Sequence, residues 1–514
     1  MDLILTWVIA LAVVLLWIIG VYFLYKRGII KKEGHVSLFG PAVMLKTTRG
    51  KTWIEKAGRH RIWEAYGYLS VLLSLTLMIL VFILMVWQAY MITFIPPSRA
   101  PSPVEALGIP GINPVIPVWY GILGLVVAIV LHELSHGLLV AYHRLKIRSL
   151  GILLFIFPIG AFVEPDEEEL SRTDRFNRMQ VFAAGPITNI LVALVSLIIF
   201  AASVSSVSPA ANGVYVSSVY GPNMHALEIG DIIESVNSTP IKSIDDLVNI
   251  SAPVPGEEIN LTVYRGGEMT VSAVSGVVVM SVIRGYPAYK AGIKPGWIFY
   301  SINGSVVRNE KDFISILNKT RAGERINITM LDENLQKVNI ELVLGDKYEY
   351  YKKYAPESNR DYFKGKGFIG VSAFYLGVSV GEPEKLKEMI SNPYSGAKTW
   401  SDMLQASLTL IALPFAGLMP FPSQYENMFI VPFPGFWIFV NAIYWIFWLN
   451  LMLGMTNLLP AVPLDGGYVF RDAIHYLATK LKVKDPNQTS ARISSFMSFL
   501  ILFLILWQFL GPRV

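Results

Sequence analysis

One apolar stretch contains Leu131-His132-Glu133-Leu134-Ser135-His136-Gly137. Side chains four apart share a helix face, so both imidazoles can reach one metal ion while Glu133 stands beside it, able to take a proton from bound water. The chain has seven His in 514 residues, which makes chance assembly of His-Glu-x-x-His rare. An ionisable group inside a membrane helix costs about 2.5–3.5 kcal/mol on insertion scales, so such a cluster implies a role. The alternative is a polar contact between helices with no metal.

A catalytic zinc keeps three protein ligands and one open position. There is no Cys, which excludes disulfides, thiol nucleophiles and cysteine-based zinc sites, so the third ligand must be His, Asp or Glu. The best candidate is Asp465 in Asn457-Leu458-Leu459-Pro460-Ala461-Val462-Pro463-Leu464-Asp465-Gly466-Gly467. Pro460 and Pro463 forbid a continuous helix and free backbone groups, which is tolerable in a membrane only against protein or a polar cavity. A carboxylate capping the helix that follows is the other reading of Asp465. Two imidazoles and a carboxylate suit zinc best among divalent metals. His143, His475 and the acidic group Glu164 with Glu167 to Glu169 read as solvated side chains.

The elements that must position these residues are membrane helices. With 53% apolar and only 16% charged residues, the chain is too oily for a soluble fold, and its solvent is the lipid bilayer. Membrane-length apolar runs occur at Leu3 to Tyr25, Tyr66 to Met91, Pro117 to Leu131 and beyond, Val181 to Ser203, Phe433 to Leu459, and Ile493 to Leu510, which predicts about six transmembrane helices. The first is followed by basic residues rather than a cleavage site and reads as an anchor. Net charge is a modest +5 and is spread by loop, so nucleic acid is not a partner.

Residues 26 to 65 carry ten Lys or Arg against three acids, which makes this loop cytoplasmic. Alternation then puts the Pro-rich connection 92 to 116 outside, the basic Arg144, Lys146 and Arg148 inside, and everything from about Ser205 to Ser401 outside. Met403 to Met419 reads as a short interfacial helix interrupted at Pro414, with both termini external. Between the third and fourth spans, Gly151 to Gly160 is apolar but too short to cross. It could be a re-entrant hairpin whose edge pairs with an unwound substrate, or a segment packed on the bundle.

The outside insert has the composition of a soluble α+β region. Gly213 to Pro240 and Gly276 to Val306 are alike: a β-rich run, a short helix, then Gly-Asp-Ile-Ile or Gly-Trp-Ile-Phe leading to an Asn turn. The pattern resembles tandem PDZ domains. Six Asn-x-Ser/Thr sequons, at Asn237, Asn249, Asn260, Asn303, Asn318 and Asn327, lie in this insert, and only Asn487 lies elsewhere, in agreement with an external placement.

His-Glu-x-x-His in one span, Asn-x-x-Pro-x-x-Pro-Leu-Asp-Gly in a later one and PDZ-like domains between resemble the site-two protease family of intramembrane metalloproteases over residues 117 to 475. The resemblance implies one zinc ion held by His132, His136 and Asp465, with Glu133 as catalytic base. A further family element, Gly-Pro-x-x-Asn, is present as Gly185-Pro186-Ile187-Thr188-Asn189. Asn189 and Asn457 could hydrogen-bond the oxyanion or the substrate strand, or equally bridge helices.

The expected organisation is an N-terminal two-helix membrane region with a basic loop (1–98), a first part of the catalytic core (117–204), PDZ-like domains (207–273 and 274–345), a linker with an interfacial helix (346–432) and a second part of the core (433–514). Expected partners are single-span membrane-protein substrates, peptide tails at the PDZ-like domains and lipid, in the cell membrane with the active site near the cytoplasmic side. The competing function is a non-catalytic metal-binding scaffold presenting the PDZ-like pair. A transporter would need paired broken helices in repeated halves, and there is one such break.

Overall fold

The computed structural model describes residues 3–31, 34–95, 102, 104, 108, 110–155, 157–354 and 360–513. In chain order the principal elements are α1 (Leu3–Lys26), β1 (Val36–Phe39), β2 (Ala42–Thr47), α2 (Lys51–Ala57), α3 (Ile62–Met91), α4 (Val118–Tyr142), β3 (Ile147–Phe155), β4 (Phe157–Pro165) and α5 (Arg175–Ser205). The insert contributes β5 (Val214–Val219), β6 (Ile232–Val236), β7 (Glu258–Tyr264), β8 (Glu268–Val274), β9 (Val277–Val282), β10 (Ile298–Ile302), β11 (Arg325–Leu331), β12 (Lys337–Val343), β13 (Val371–Tyr375), β14 (Val378–Gly381) and α6 (Trp400–Ala412). Then come α7 (Phe436–Asn457), α8 (Asp465–Lys480) and α9 (Pro486–Leu510). The chain divides into two units, Met1–Phe200 with Ile438–Val514, and Ala201–Trp437.

In the first unit, long uncharged runs become helices because lipid offers no partner for free backbone groups. Among the described residues, five helical segments are long and apolar enough to cross a membrane: Ile62–Phe94, Val118–Tyr142, Arg175–Ser205, Phe436–Asn457 and Pro486–Arg513. The first expected span forms α1, whose described apolar part, Val14–Lys26, is shorter. Part of the Pro-rich connection between the second and third expected spans, including residues 96–101, lies outside the described residues.

The segment after α4 is an antiparallel hairpin, with Leu150 opposite Val163 and Leu153 opposite Gly160; Ile156 at its tip lies outside the described residues. β1 and β2 extend it into a four-stranded sheet of order β1-β2-β3-β4, with Val43 opposite Leu154 and Leu45 opposite Ile152. Residues from the N-terminal region, to which the sequence assigned no purpose, therefore cover one side of the hairpin. β4 is left as the sheet edge. It lies close against α4 because Gly137 has no side chain: a Cβ there would stand 3.0 and 3.1 Å from the Val163 methyls. Ile54 of α2, Leu138, Leu139 and Ala141 of α4, Ile147 of β3, and Val181 and Ala184 of α5 form one buried cluster around this contact. Between apolar helices in lipid, such packing is held by dispersion and shape rather than by expulsion of water.

The second unit contains two sheets of the same strand order, β8-β7-β6-β5-β14 and β12-β11-β10-β9-β13. The two similar sequence segments supply the first two strands of each. Each sheet has its own aliphatic core, around Val216, Ile233 and Leu261 in one and Val279, Phe299 and Ile328 in the other. In an aqueous domain, each fully buried aliphatic side chain contributes about 1.5–3 kcal/mol.

Residues 346 to 432, expected as linker and interfacial helix, do more than connect. β13 pairs with β9, Val277 opposite Tyr375, and β14 pairs with β5, Val219 opposite Val378, so one short stretch completes both sheets. Helix α6, Trp400–Ala412, overlaps the first part of the segment Met403 to Met419, expected as a short helix. It has 13 residues, opens with a capping box between Thr399 and Asp402, and ends just before Pro414.

Candidate metal centre

His132 and His136 project from the same face of α4, with their Nε2 atoms 3.1 Å apart. After α7 the chain leaves helical geometry through Leu458 to Leu464 and re-enters it at Asp465. Asp465 is the first residue of α8 and not its cap, since Leu464 occupies the cap position and makes no side-chain capping bond. The carboxylate turns to the histidines instead: Oδ2 lies 3.0 Å from His132 Nε2 and 3.4 Å from His136 Nε2. Among the described residues, these three form the one group of three or more His, Asp or Glu side chains whose ligand atoms all lie within 4.8 Å of one another.

Both rings are fixed from behind by α5. His136 Nδ1 is 2.7 Å from the carbonyl oxygen of Val181, an acceptor, so Nδ1 carries the proton and Nε2 presents its lone pair. His132 Nδ1 is 3.2 Å from the side-chain amide of Asn189, which is fully buried. The amide nitrogen is assigned to that contact and the Asn189 oxygen is left without a partner. Turned over, the amide pairs that oxygen as well: it accepts from His132 Nδ1–H and again frees Nε2.

These residues fit a tetrahedral zinc. Ligands about 2.05 Å from a zinc at tetrahedral angles stand about 3.3 Å from one another; the observed separations are 3.0, 3.1 and 3.4 Å. Gly185 provides a second test. A Cβ on it would fall well inside van der Waals distance of both Nε2 atoms, so this glycine keeps open the space in front of the ligands.

The site faces a cavity of about 450 Å³, lined by His132, His136 and Asp465 with Glu133, Gly160, Ala161, Val163, Asn457 and Pro463 among others. The backbone N–H of Val163 donates to Glu133 Oε2 at 3.3 Å. Asn457 therefore stands on the cavity wall, whereas Asn189 is held against the back of His132. A larger cavity, about 1090 Å³, lies among α3, α5, α8 and α9 and is lined by none of His132, His136 and Asp465; the donor atoms converge on the smaller one.

The remaining polar candidates are engaged elsewhere. His143 Nε2 is 2.9 Å from Gln180 Oε1, and Glu164 pairs with Lys46 at 2.9 Å and accepts from Ser149. Glu168 pairs with Arg172, and Glu169 accepts from the Lys146 backbone. Val181 was not singled out from the sequence, and Gly185 was named only as part of the Gly-Pro-x-x-Asn element, without a role. Their signal is spacing: Val181, Gly185 and Asn189 are four apart and form one stripe of α5 facing α4.

Membrane-length helices carrying a His-Glu-x-x-His pair that converges with a distant aspartate define the class, a membrane-embedded metallopeptidase. Residues 120–504 match Peptidase family M50, and the chain belongs to that family. The uncharacterized protein MJ0971 of Methanocaldococcus jannaschii is similar to it, 29% identical over 266 residues that cover 51% of this chain and 68% of that protein. At the level of the family, the protein is an intramembrane metalloprotease.

Proposed function

We propose that the protein is an intramembrane zinc endopeptidase, in which His132, His136 and Asp465 hold the metal and Glu133 is the general base. The observation that carries this reading is the convergence of three donor atoms, separated as zinc ligands are, on a space that Gly185 leaves open beside Glu133. When bound there, zinc supplies acidity to a water molecule and polarisation to a carbonyl. Glu133 holds and deprotonates that water and returns the proton to the leaving amine. Asn457, on the cavity wall, donates to the oxyanion or to the substrate strand. Asn189 keeps His132 in the tautomer that offers Nε2.

β4 presents the substrate to this group. Val163 N–H points toward Glu133 and away from β3, and backbone direction alternates along a strand, so Ala161 has its N–H and C=O on the same outward edge. An unwound segment pairing there would pass along the cavity that holds Glu133. β1 and β2 occupy the β3 side, which leaves β4 as the edge for pairing.

The finer reading includes α1 as a sixth span, an extracytoplasmic insert of two PDZ-like domains, and location in the cell membrane with the site near its cytoplasmic side. The sheets support the PDZ-like part: β13 and β14 are edges at which peptide tails could add as a further strand. Substrates would be single-span membrane proteins whose trimmed tails reach these edges. Trp400, Met403 and Leu404 are exposed on α6, in keeping with a helix at the membrane surface. A metal-binding scaffold without activity is the poorer reading, because a structural site needs no carboxylate facing the cavity beside its ligands.

The test is detergent-purified protein given a generic single-span substrate, wild type against Glu133→Gln, with bound zinc counted in both. Loss of cutting by about 100-fold or more with zinc retained is the expected result. Equal cutting by the two would remove Glu133 from the mechanism.

A further inference from the structure

Two turns beyond Asp465, α8 carries a second buried carboxylate. Asp472 lies seven residues on, about 10 Å along the helix and on nearly the same face, and is 2% exposed. Arg178 Nε donates to its Oδ2 at 2.7 Å and Arg178 Nη2 donates to its Oδ1, so the contact is a two-pronged fork. Arg175 Nη1 donates to the same Oδ1 at 2.9 Å, while its Nη2 donates to Asn487 on α9 at 2.7 Å. Both arginines stand at the start of α5, the helix that also carries Val181, Gly185 and Asn189.

Helix α5 thus touches every part of the metal site. It fixes His136 through Val181, His132 through Asn189, and α8 through Asp472. We propose that the Asp472–Arg178 pair is a positioning device for the metal site: it sets the height and rotation of α8 against α5 and so delivers Asp465 to the two imidazoles. The inference rests on the reading of His132, His136 and Asp465 as metal ligands.

The need for such a device follows from the chain's path. Asp465 is the one ligand not on α4, and it follows a non-helical stretch from Leu458 to Leu464 that ends without a side-chain cap. A functional site must be held to within about 0.5 Å, which an uncapped loop alone does not ensure. A buried ion pair adds little net stability compared with apolar packing of the same volume, but it specifies one arrangement. A guanidinium fork on a carboxylate specifies both position and angle.

The experiment uses the full chain in detergent and reads three quantities for wild type and Asp472→Asn: zinc affinity by chelator competition, the thermal midpoint without metal, and its rise when zinc is added. Asn keeps the size but loses the charge and one acceptor. We expect zinc to bind about tenfold more weakly and the zinc-induced rise to shrink with it. A lower metal-free midpoint with unchanged affinity and an unchanged rise would make the pair merely structural and overturn the inference. Should Asp472→Asn not fold, Arg178→Lys keeps the charge but not the fork; weakened zinc binding there supports the inference, and unchanged binding overturns it. Wild-type protein that binds no zinc would instead overturn the metal reading on which it rests.

Discussion

The backbone N–H of Val163 donates to the carboxylate of Glu133 at 3.3 Å, which puts the edge strand β4 in direct contact with the proposed base. Strand and base therefore cannot be placed independently. A substrate aligned on the strand is aligned on the base as well.

Substitution of Ala161 by Pro tests that alignment. Ala161 shares the outward edge with Val163, so Pro removes an N–H proposed to pair with substrate and spares the ladder to β3. One hydrogen bond is worth about 1 kcal/mol, and with the added backbone restriction kcat/KM should fall by about tenfold or more. Zinc content and thermal midpoint should stay near wild type. Cleavage at the wild-type rate would contradict substrate pairing at this edge.

Gly185→Ala should empty the metal site without unfolding the protein. The added methyl occupies the space in front of both Nε2 atoms. Zinc affinity should drop by at least about 100-fold, since a direct block exceeds the usual effect of removing a supporting group. Metal counting after dialysis at a fixed zinc concentration is the check, and full occupancy of the variant would refute the cradle.

Asn189→Ala removes the group behind His132, and zinc affinity should weaken by about 10–100-fold. Asn189→Asp retains an acceptor for the Nδ1 proton and should recover much of the loss. If Ala and Asp behave alike, Asn189 is only a packing residue.

Glu164 ties β4 to β2, and its contribution should depend on pH. Partial burial raises its carboxyl pKa, but the Ser149 hydroxyl and the Lys46 ammonium more than offset this, so the group sits below the ordinary carboxylate range. A carboxyl whose folded pKa is depressed adds stability that is present above its unfolded value, near 4.3, and lost as pH falls through the folded value. The thermal midpoint of wild type should therefore exceed that of Glu164→Gln at pH 7, and the gap should close on acidification below about pH 4. About a third of the side chain is exposed, so the gap will be small. A gap that is constant with pH would mean the ion pair contributes nothing.

The proposed ligand set could be read from the sequence because its chemistry is local: two imidazoles four apart on a helix, and a carboxylate beside a double-proline break. The support around it was not. Val181 acts through its carbonyl, which any residue possesses, and Gly185 acts through the side chain it lacks. Asn189 was read as an amide that either contacts the oxyanion or substrate or bridges helices; it bridges α5 to α4, but the sequence did not reveal that His132 is its partner.

Strand pairing was the other gap. Gly151 to Gly160 reads as a hairpin from its own residues, yet its neighbours β1 and β2 come from before α3, across two membrane-length helices. Likewise β14 joins β5 only after a whole second sheet has been formed between them. Periodicity reports which residues are in strands; the partner across a long loop is set by three-dimensional packing. Asp472 was passed over for a similar reason, since its arginine partners lie on the far side of the insert.

The most direct measurement of the central claim is X-ray absorption at the zinc edge on the purified chain, with the metal-to-protein ratio determined on the same sample. The account predicts one zinc per chain with two imidazole nitrogens and carboxylate or water oxygen at about 2.0–2.1 Å, and loss of that signal in Asp465→Ala. A protein that retains no zinc, or a zinc whose shell contains no imidazole, would contradict it.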